Sequence, residues 1–223
     1  MNFKHAIFDL DGTLLDSMPV WDTLAARYLR LKGKEPKAGL RAALSVMDMT
    51  GSAQFLIREY GLSGSVQTVI DEMNALGYQA YAEEVQPKPC AAEFLKLLRD
   101  HGVTMCIATA TDRPLVEAAL RRLNLLTYFE RIFTCTEVGI GKSRPDIYDA
   151  ARTALGGTKA DTLIFEDALH AIETAKAAGY RVAAVPDASA LKDRERIHTL
   201  ADCWLDGYEQ AIERFNQSNR VPE

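Results

Sequence analysis

Short apolar segments alternate with segments of helical periodicity between residues 87 and 185. The apolar segments predict strands at residues 103–108, 131–135, 162–165 and 181–185. Helices are predicted at residues 91–100, 113–123, 145–155 and 168–178. Strands that alternate with helices in this way pair in parallel, because each connection must cross over the sheet. This part of the chain therefore predicts an α/β fold, with a parallel sheet covered by helices on both faces.

The residues after 185 continue this pattern with weaker signals. They predict helices at residues 197–201 and 208–215, a short edge strand at residues 203–205, and a frayed tail at residues 216–223.

A further apolar segment at residues 4–8 predicts a buried strand, and two carboxylates, Asp9 and Asp11, follow it. Side chains two residues apart in a strand point to the same side, although Gly12 also permits a turn over which Asp11 would bend. In either arrangement the two carboxylates lie close together. Such a pair stays ionised when a cation joins it, and Mg²⁺ suits ligands of this kind. The alternative is a strand end with solvated acids, where Asp16 or Ser17 caps the next helix.

Residues 15–86 contain predicted helices and no convincing strand. The helices are predicted at residues 17–32, 38–47, 52–60 and 66–84. An insertion between the first two strands of the sheet would lie over their carboxyl ends, where ligands bind in open α/β sheets. We therefore expect a helical cap at residues 15–86 and a catalytic core made of residues 1–14 and 87–223.

Composition limits the classes of partner and the compartment. The chain has 223 residues and a formal net charge of −5, which argues against nucleic acid or an anionic membrane as its main partner. It has neither a signal-peptide pattern nor an apolar run long enough to cross a bilayer. No Cys-x-x-Cys spacing is present, so we expect reduced and mostly buried thiols in a cytoplasmic protein. The four cysteines are Cys90, Cys106, Cys135 and Cys203.

Polar side chains also follow three of the later strands. Thr109 and Ala110 come at the end of one strand, Lys142 precedes a helix, and Glu166 and Asp167 end another strand. A hydroxyl and a lysine at these places can hold an anion, while a second acid pair can complete a metal site. Each feature alone favours a simpler role, namely a helix cap, a surface lysine or acids at a helix N-terminus. Their occurrence together, in one sheet, favours the functional interpretation.

The chain resembles the haloacid dehalogenase superfamily of phosphatases and phosphotransferases over essentially its whole length. Asp9-Leu10-Asp11-Gly12-Thr13 is similar to the first motif of that superfamily, and Thr109, Lys142 and Glu166-Asp167 are similar to the other three in order and spacing. The segments Pro145-Asp146-Ile147-Tyr148 and Phe165-Glu166-Asp167-Ala168 resemble the β-phosphoglucomutase type, except that Ala168 replaces a usual serine and Ser143 a usual proline. The resemblance implies a Rossmann-like core with an inserted helical cap.

The resemblance also implies a mechanism. Asp9 would attack phosphorus and Asp11 would act as general acid and base. Mg²⁺ would be held by Asp9, the Asp11 main-chain carbonyl and Asp167, with Glu166 as a ligand or as a support. Thr109, Ala110 and Lys142 would hold the phosphoryl oxygens. A dehalogenase of the same superfamily needs no Mg²⁺, but Gly12-Thr13 and Glu166-Asp167 favour the branch that transfers phosphoryl groups.

The number of basic residues in the predicted cap distinguishes a phosphatase from a mutase. The cap of β-phosphoglucomutases carries a basic cluster at the position of residues 45–49, which read Ser-Val-Met-Asp-Met here, and no Lys or Arg occurs from Glu59 to Pro87. We therefore expect a Mg²⁺-dependent phosphatase of small phosphorylated metabolites that acts as a monomer. A sugar-phosphate mutase and a non-catalytic protein that binds a phosphorylated metabolite or another protein are the alternatives. Residues that would line an apolar lid, or else pack within the cap, are Met18, Trp21, Met47 and Met49.

Overall fold

The computed structural model describes residues 3–44, 47 and 49–218, and the chain divides into two units. The larger unit comprises Met1–Asp16 and Gln86–Glu223, and the smaller unit comprises Ser17–Val85. The strands, in chain order, are β1 (His5–Phe8), β2 (Leu15–Asp16), β3 (Gln86–Pro87), β4 (Thr104–Thr109), β5 (Arg131–Thr134), β6 (Thr162–Glu166), β7 (Arg181–Ala184) and β8 (Cys203–Trp204).

Six of these strands form one parallel sheet in the order β5-β4-β1-β6-β7-β8. The central strand β1 pairs with β4 and with β6, so that Phe8 lies opposite Ile107 on one side and Phe165 on the other. The parallel sheet predicted from the sequence is confirmed. The chain segments that follow β1, β4 and β6 leave the sheet at the same edge, which places their polar residues near one another.

The helices, in chain order, are α1 (Met18–Leu31), α2 (Leu40–Leu44), α3 (Met49–Tyr60), α4 (Val66–Glu83), α5 (Ala91–Asp100), α6 (Arg113–Arg122), α7 (Cys135–Val138), α8 (Asp146–Leu155), α9 (Leu169–Ala177), α10 (Arg194–Leu200) and α11 (Tyr208–Ser218). Short 3₁₀ helices occur at Leu126–Tyr128 and Ala188–Asp193. Within the described residues, no helix is both long enough and apolar enough to span a membrane.

The larger unit buries both faces of its sheet. Residues of four neighbouring strands, Ile7, Cys106, Ile164 and Val182, pack with α8 and α9 in one apolar cluster. On β1 and β6, the rings of Phe8 and Phe165 stack with their centroids 4.3 Å apart. Burial on both faces explains why these strands read as continuous apolar runs rather than as alternating ones.

The smaller unit is a set of helices with its own apolar core. Leu24 and Tyr28 of α1, Leu56 of α3, and Val69 and Met73 of α4 pack together. The helix α4 begins at a capped end, where the Ser65 hydroxyl accepts a hydrogen bond from the Thr68 amide at 3.1 Å. That bond satisfies one of the amides that a helix N-terminus leaves without a partner.

Several details of the sequence prediction are wrong at the element boundaries. Strands β2 and β3 pair antiparallel at the two ends of residues 15–86, the segment predicted to lack strands. The helix predicted at residues 38–47 is shorter and covers Leu40–Leu44, while residues 45 and 46 lie outside the described residues. Asn216 continues helix α11 instead of opening a frayed tail, and residues 219–223 are not described.

The cysteines are free, but they are less buried than predicted. Cys106 in β4 is buried, whereas Cys90, Cys135 and Cys203 are partly exposed. Cys135 begins α7 and is not the last residue of a strand, because the chain turns into a helix capped by the Thr134 hydroxyl.

Candidate active site

The backbone leaves the sheet between Asp9 and Asp11. The Asp9 amide donates to the Phe165 carbonyl at 2.9 Å and so continues the sheet by one residue. The chain then turns, because the Leu14 and Leu15 amides both donate to the Leu10 carbonyl at 2.9 Å. Asp9 is buried, while Asp11 on the turn is partly exposed. Of the two arrangements that the sequence left open, the turn at Gly12 is the one formed.

Gly12 has to be a glycine for two separate reasons. Its φ of +78° lies in the left-handed region, which costs a residue with a Cβ more than it costs glycine. A Cβ at this position would also lie 2.5 Å from the Asp167 Oδ2 atom. Asp167 is held in place, since its Oδ1 accepts a hydrogen bond from the Thr13 hydroxyl at 3.0 Å. The turn therefore allows Asp167 to approach the backbone of the Asp9–Thr13 segment closely.

Lys142 joins the ends of β1 and β6. Its Nζ donates to Asp9 Oδ1 and, at 2.5 Å, to Glu166 Oε1. The side chains of Lys142, Asp9 and Glu166 are 6%, 8% and 1% exposed, so these two ion pairs, which share Lys142, are shielded from water. The short helix α7 and the segment after it bring Lys142 back to the sheet edge from the end of β5.

The remaining atoms of Glu166 are also bonded. Its Oε2 accepts hydrogen bonds from the main-chain amides of Asp167 at 2.9 Å and Ala168 at 3.1 Å. Its Oε1 accepts a further hydrogen bond from the Tyr148 hydroxyl at 3.1 Å, in addition to the one from Lys142. Glu166 is therefore fixed at both oxygens.

Three buried carboxylates, those of Asp9, Glu166 and Asp167, face the single ammonium of Lys142 in this cluster. Burial raises the pKa of Asp9 to about 7, with Glu166 and Asp11 adding to the rise and Lys142 opposing it. Burial likewise raises the pKa of Asp167 well above its usual value, assisted by Glu166 and Asp9. Burial alone would lower the pKa of Lys142, but the carboxylates of Asp9 and Glu166 hold it well above its ordinary range. The cluster thus carries more negative charge than one lysine neutralises.

The same three carboxylates can hold a metal ion. One oxygen from each of Asp9, Glu166 and Asp167 lies within 4.8 Å of the others. Oxygen donors of this kind fit hard divalent cations such as Mg²⁺, Mn²⁺ and Ca²⁺. Asp9 Oδ1 and Asp167 Oδ1 accept the hydrogen bonds described above, and the Oδ2 atoms of both residues accept none among the described residues. A cation at this place would also neutralise the excess negative charge.

The turn after β4 carries a hydroxyl that contacts Asp11. Thr111 Oγ1 donates to Asp11 Oδ2 at 2.5 Å, and the Thr111 amide donates to the Thr109 hydroxyl at 3.0 Å. Thr109 is buried and Ala110 is exposed. The hydroxyl of Thr109 therefore stabilises this turn and does not cap the following helix α6, whose N-cap residue is Asp112. Binding of phosphate by Thr109 and Ala110 remains a prediction.

The four residues proposed for the lid lie in the smaller unit, and two of them take part in its core. Trp21 and Met49 pack against the apolar cluster of that unit, and Trp21 Nε1 donates to the Tyr81 hydroxyl at 2.8 Å. Met18 is partly buried, and Met47 is 37% exposed. These contacts favour the packing interpretation for Trp21 and Met49.

Sequence reasoning assigned no role to four residues that support the site. Thr111 holds Asp11, and Tyr148 contacts Glu166. Thr13 holds Asp167, and its carbonyl accepts a hydrogen bond at 3.1 Å from the hydroxyl of Tyr208, which belongs to α11. The only signal for Thr111 was a second hydroxyl two residues after Thr109, and the sequence carries no signal that links Tyr208 to Thr13.

A cavity of about 840 Å³ opens beside Asp167 in the larger unit. Its other walls include Lys88 after β3, Asp187 and Arg194 after β7, and Trp204 of β8. Asp9 and Lys142 do not line it. The cavity therefore touches the carboxylate cluster only through Asp167, and its position does not define where a reacting group binds.

Comparisons with known proteins agree with this geometry. A family model described as haloacid dehalogenase-like hydrolase matches residues 3–179. A bifunctional riboflavin kinase/FMN phosphatase of Arabidopsis thaliana is 29% identical over 199 residues, which are 88% of this chain and 51% of the relative. The chain thus spans about half the length of that relative. A phosphorylated carbohydrates phosphatase of Thermotoga maritima is 25% identical over 176 residues, 79% of this chain and 82% of the relative.

Solved structures share the fold. The crystal structure of CbbY from Rhodobacter sphaeroides in complex with phosphate superimposes with a TM-score of 0.73 at 22% identity, covering 92% of this chain and 95% of that chain. At this level of identity the likeness concerns the fold alone.

The contact between Gly12 and Asp167 gives a testable prediction. We expect Gly12→Ala to lower the free energy of unfolding by about 1–3 kcal/mol more than Gly102→Ala, because only the first alanine would press on a fixed carboxylate. Gly102 is a matched control, since its φ is +76° and no atom lies within 4 Å of the position of a Cβ. Urea unfolding of the three proteins, compared at equal m-values, measures the difference. Equal losses in the two variants would show that Asp167 moves aside freely.

Proposed function

The chain belongs to the family of haloacid dehalogenase-like hydrolases, as a phosphoric monoester hydrolase, and from this premise we propose a specific substrate class and mechanism. The protein hydrolyses small phosphomonoesters with the help of Mg²⁺, and Asp9 forms an aspartyl-phosphate during the reaction. The observation that carries the proposal is the buried contact of Asp9 with Lys142, next to Glu166 and Asp167. The phosphatase names of the relatives support the reaction class.

In the first half of the proposed reaction, an Asp9 carboxylate oxygen bonds to phosphorus while the bond between phosphorus and the leaving oxygen breaks. Asp11 gives its proton to that oxygen, so an alcohol leaves. In the second half, Asp11 takes a proton from a water molecule whose oxygen attacks phosphorus, which releases inorganic phosphate and restores Asp9. The hydrogen bond from the Thr111 hydroxyl to Asp11 Oδ2 supports this role, because it orients the carboxyl group of Asp11.

Lys142 binds the phosphoryl group in this proposal. Its ammonium already contacts Asp9, so a phosphoryl group transferred to Asp9 would lie beside a fixed positive charge. The Thr109 hydroxyl and the Ala110 amide, at the end of β4, are proposed as further donors to phosphoryl oxygens. Neutralising the phosphoryl oxygens lowers the repulsion between an anionic nucleophile and an anionic substrate.

The proposed metal ligands are Asp9, Asp167 and the main-chain carbonyl of Asp11, with Glu166 as a ligand or a support. The donor set consists of oxygens, which fits Mg²⁺. When bound, Mg²⁺ supplies Lewis-acid stabilisation of the charge on the phosphoryl group. The chain itself contributes the fixed positions of the carboxylates, through Thr13 for Asp167 and Lys142 for Asp9.

Replacement of the two reacting acids tests the mechanism. We expect Asp9→Asn to lose at least about 10³-fold in phosphate release, because an amide is not a nucleophile. We expect Asp11→Asn to lose on the order of 10²–10⁴-fold while still binding metal, because its main-chain carbonyl is unchanged. Phosphate release from p-nitrophenyl phosphate, with and without EDTA, is the measurement, and Asp16→Asn is the matched surface control.

Near-normal turnover by Asp9→Asn, or by the wild-type protein in EDTA, contradicts the aspartyl-phosphate mechanism with Mg²⁺. If the wild-type protein releases no phosphate from p-nitrophenyl phosphate or from a broad set of phosphorylated metabolites, the non-catalytic alternative is favoured instead.

We also propose that the unit Ser17–Val85 serves as a cap that selects substrates. The support for this is that the unit is inserted between β2 and β3, two strands that pair in the larger unit. The chain therefore enters and leaves the helical unit at neighbouring points, as two hinge segments would. Met47 is the best lid candidate, because Trp21 and Met49 pack within the unit.

Met47→Ala tests the cap. We expect it to change the ratio of kcat/KM between a bulky and a small phosphomonoester by about threefold or more, as removal of apolar contact to a leaving group would. Leu31→Ala is the control, because Leu31 is a large exposed apolar residue of the same unit that is not proposed for the lid. Steady-state kinetics with both substrates give the ratios. Identical ratios in the wild type and Met47→Ala contradict the assignment of Met47 to the lid.

The mutase is the second candidate, and charge argues against it. A mutase must hold an intermediate with two phosphates, but the basic residues of the helical unit are largely committed to acids of the same unit. Ion pairs within the unit join Arg27 to Glu84, Lys32 to Glu72, Arg41 to Asp22, and both Lys37 and Arg58 to Glu59. Coulomb repulsion between a second phosphate and an unpaired acid ~4 Å away amounts to about 4 kcal/mol at an effective dielectric constant near 20.

An assay with two products separates the candidates. The protein is incubated with β-glucose 1-phosphate and a trace of the 1,6-bisphosphate, and both glucose 6-phosphate and free phosphate are measured. We expect free phosphate as the dominant product, because the helical unit offers little charge for the second phosphate. Efficient formation of glucose 6-phosphate with little free phosphate would overturn the phosphatase proposal in favour of the mutase.

A further inference from the structure

Tyr148 is a buried residue beside the cluster that has no role in the proposed reaction. It lies on α8, is fully buried in the apolar cluster of the larger unit, and directs its hydroxyl to Glu166 Oε1 at 3.1 Å. Its ring lies 5.9 Å from the Lys142 Nζ atom, which allows a cation–π contact. Tyr148 therefore touches both partners of the Lys142–Glu166 ion pair.

The hydrogen bonds of Glu166 leave little room for another ligand. A carboxylate offers about four lone-pair sites. Lys142 and Tyr148 occupy those of Oε1, and the amides of Asp167 and Ala168 occupy those of Oε2. A metal ion could bind Glu166 only if one of these buried donors lost its acceptor, which is unfavourable.

Asp9 and Asp167 differ from Glu166 in this respect. Each of them accepts a single hydrogen bond among the described residues, on Oδ1, from Lys142 and Thr13 respectively. Their Oδ2 atoms keep lone pairs available for a cation. The three carboxylates are near enough to bind one ion together. Only Asp9 and Asp167, however, have an oxygen that accepts no hydrogen bond among the described residues.

We propose that Tyr148 is a positioning residue that locks Glu166 onto Lys142, so that Glu166 anchors the lysine and leaves the metal ion to Asp9 and Asp167. This inference rests on the proposed function, because it assigns the two roles that remained open for Glu166. The consequence is a fixed ammonium: Lys142 cannot follow the metal or the substrate, since its carboxylate partner is held by three other donors. Tyr148 acts only through Glu166 and does not touch the reacting atoms.

The test combines metal binding without substrate and steady-state kinetics. The variants are Tyr148→Phe, Glu166→Gln, Glu166→Ala, the double variant of Tyr148→Phe with Glu166→Ala, and Asp167→Asn as a reference for the loss of a true ligand. Tyr180→Phe is the matched control, because Tyr180 lies in the same apolar cluster and also donates its hydroxyl to an acid, Asp149, away from the site. Mn²⁺ titration followed by electron paramagnetic resonance gives the metal dissociation constant, and p-nitrophenyl phosphate gives kcat and KM. Thermal unfolding confirms that each variant folds.

We expect Asp167→Asn to raise the Mn²⁺ dissociation constant more than about 10-fold, and Glu166→Gln and Tyr148→Phe to change it less than about 3-fold. We expect Tyr148→Phe to lower kcat about 10-fold, as loss of an outer-shell partner does, with KM nearly unchanged. The effect of Tyr148→Phe should be absent in the Glu166→Ala background, because alanine offers the Tyr148 hydroxyl no acceptor and residues that act through one contact are not additive. Tyr180→Phe should leave kcat within about twofold of the wild type.

Two results would overturn the proposal. If Glu166→Gln weakens Mn²⁺ binding as much as Asp167→Asn does, Glu166 is a metal ligand. If Tyr148→Phe lowers kcat no more than Tyr180→Phe does, or by the same factor in both backgrounds, Tyr148 has only a structural role. Because the Mn²⁺ titration needs no turnover, failure of the proposed phosphatase function in the wild type is distinguishable from failure of this inference.

Discussion

The ammonium of Lys142 is the interaction on which the rest of the site depends. It lies between the carboxylates of Asp9 and Glu166, with less than a tenth of any of the three side chains exposed. A charge buried at this depth without a partner would cost several kcal/mol, so the ends of β1 and β6 and the segment before α8 have to meet at one point. The position of each segment is therefore tied to that of the other two.

The register of the parallel strands brings the residues of this site close together. Phe8 lies opposite Phe165 and Ile107, and β6 and β4 continue for only one and two residues beyond that level, so the three strands end close together. The rings of Phe8 and Phe165, the residues that immediately precede Asp9 and Glu166, stack on each other and hold β1 and β6 together at this end of the sheet. Because the apolar strands are closely packed, the polar residues above them occupy fixed places without long loops. The same packing excludes water, which strengthens each electrostatic interaction in the site.

The sequence was sufficient for the elements with strong local signals and insufficient for contacts set by packing. Strands β1, β4 and β6 are apolar runs that end at polar residues, and the motif order predicted a site at Asp9, Lys142 and Asp167, which the structure places in one cluster. The pair β2 and β3 has two residues in each strand, too few for any alternation to appear. Thr111 and Asp11 are 100 residues apart, and Tyr208 and Thr13 are 195 apart. Such contacts follow from the orientation of α11 and of the turn after β4, and no local pattern records them.

Side-chain length explains why position 166 is a glutamate and position 167 an aspartate. Glu166 is long enough to reach Lys142 with one oxygen while the other folds back onto the amides of Asp167 and Ala168. An aspartate at position 166 would carry the same charge but would be one methylene too short to span both sets of donors. A glutamate at position 167 would bring one more methylene toward the backbone at Gly12, where even a Cβ on residue 12 would lie only 2.5 Å from Asp167 Oδ2. The order Glu-Asp therefore follows from distances within the chain and not from charge alone, and it gives the two acids different neighbours although they are adjacent in the sequence.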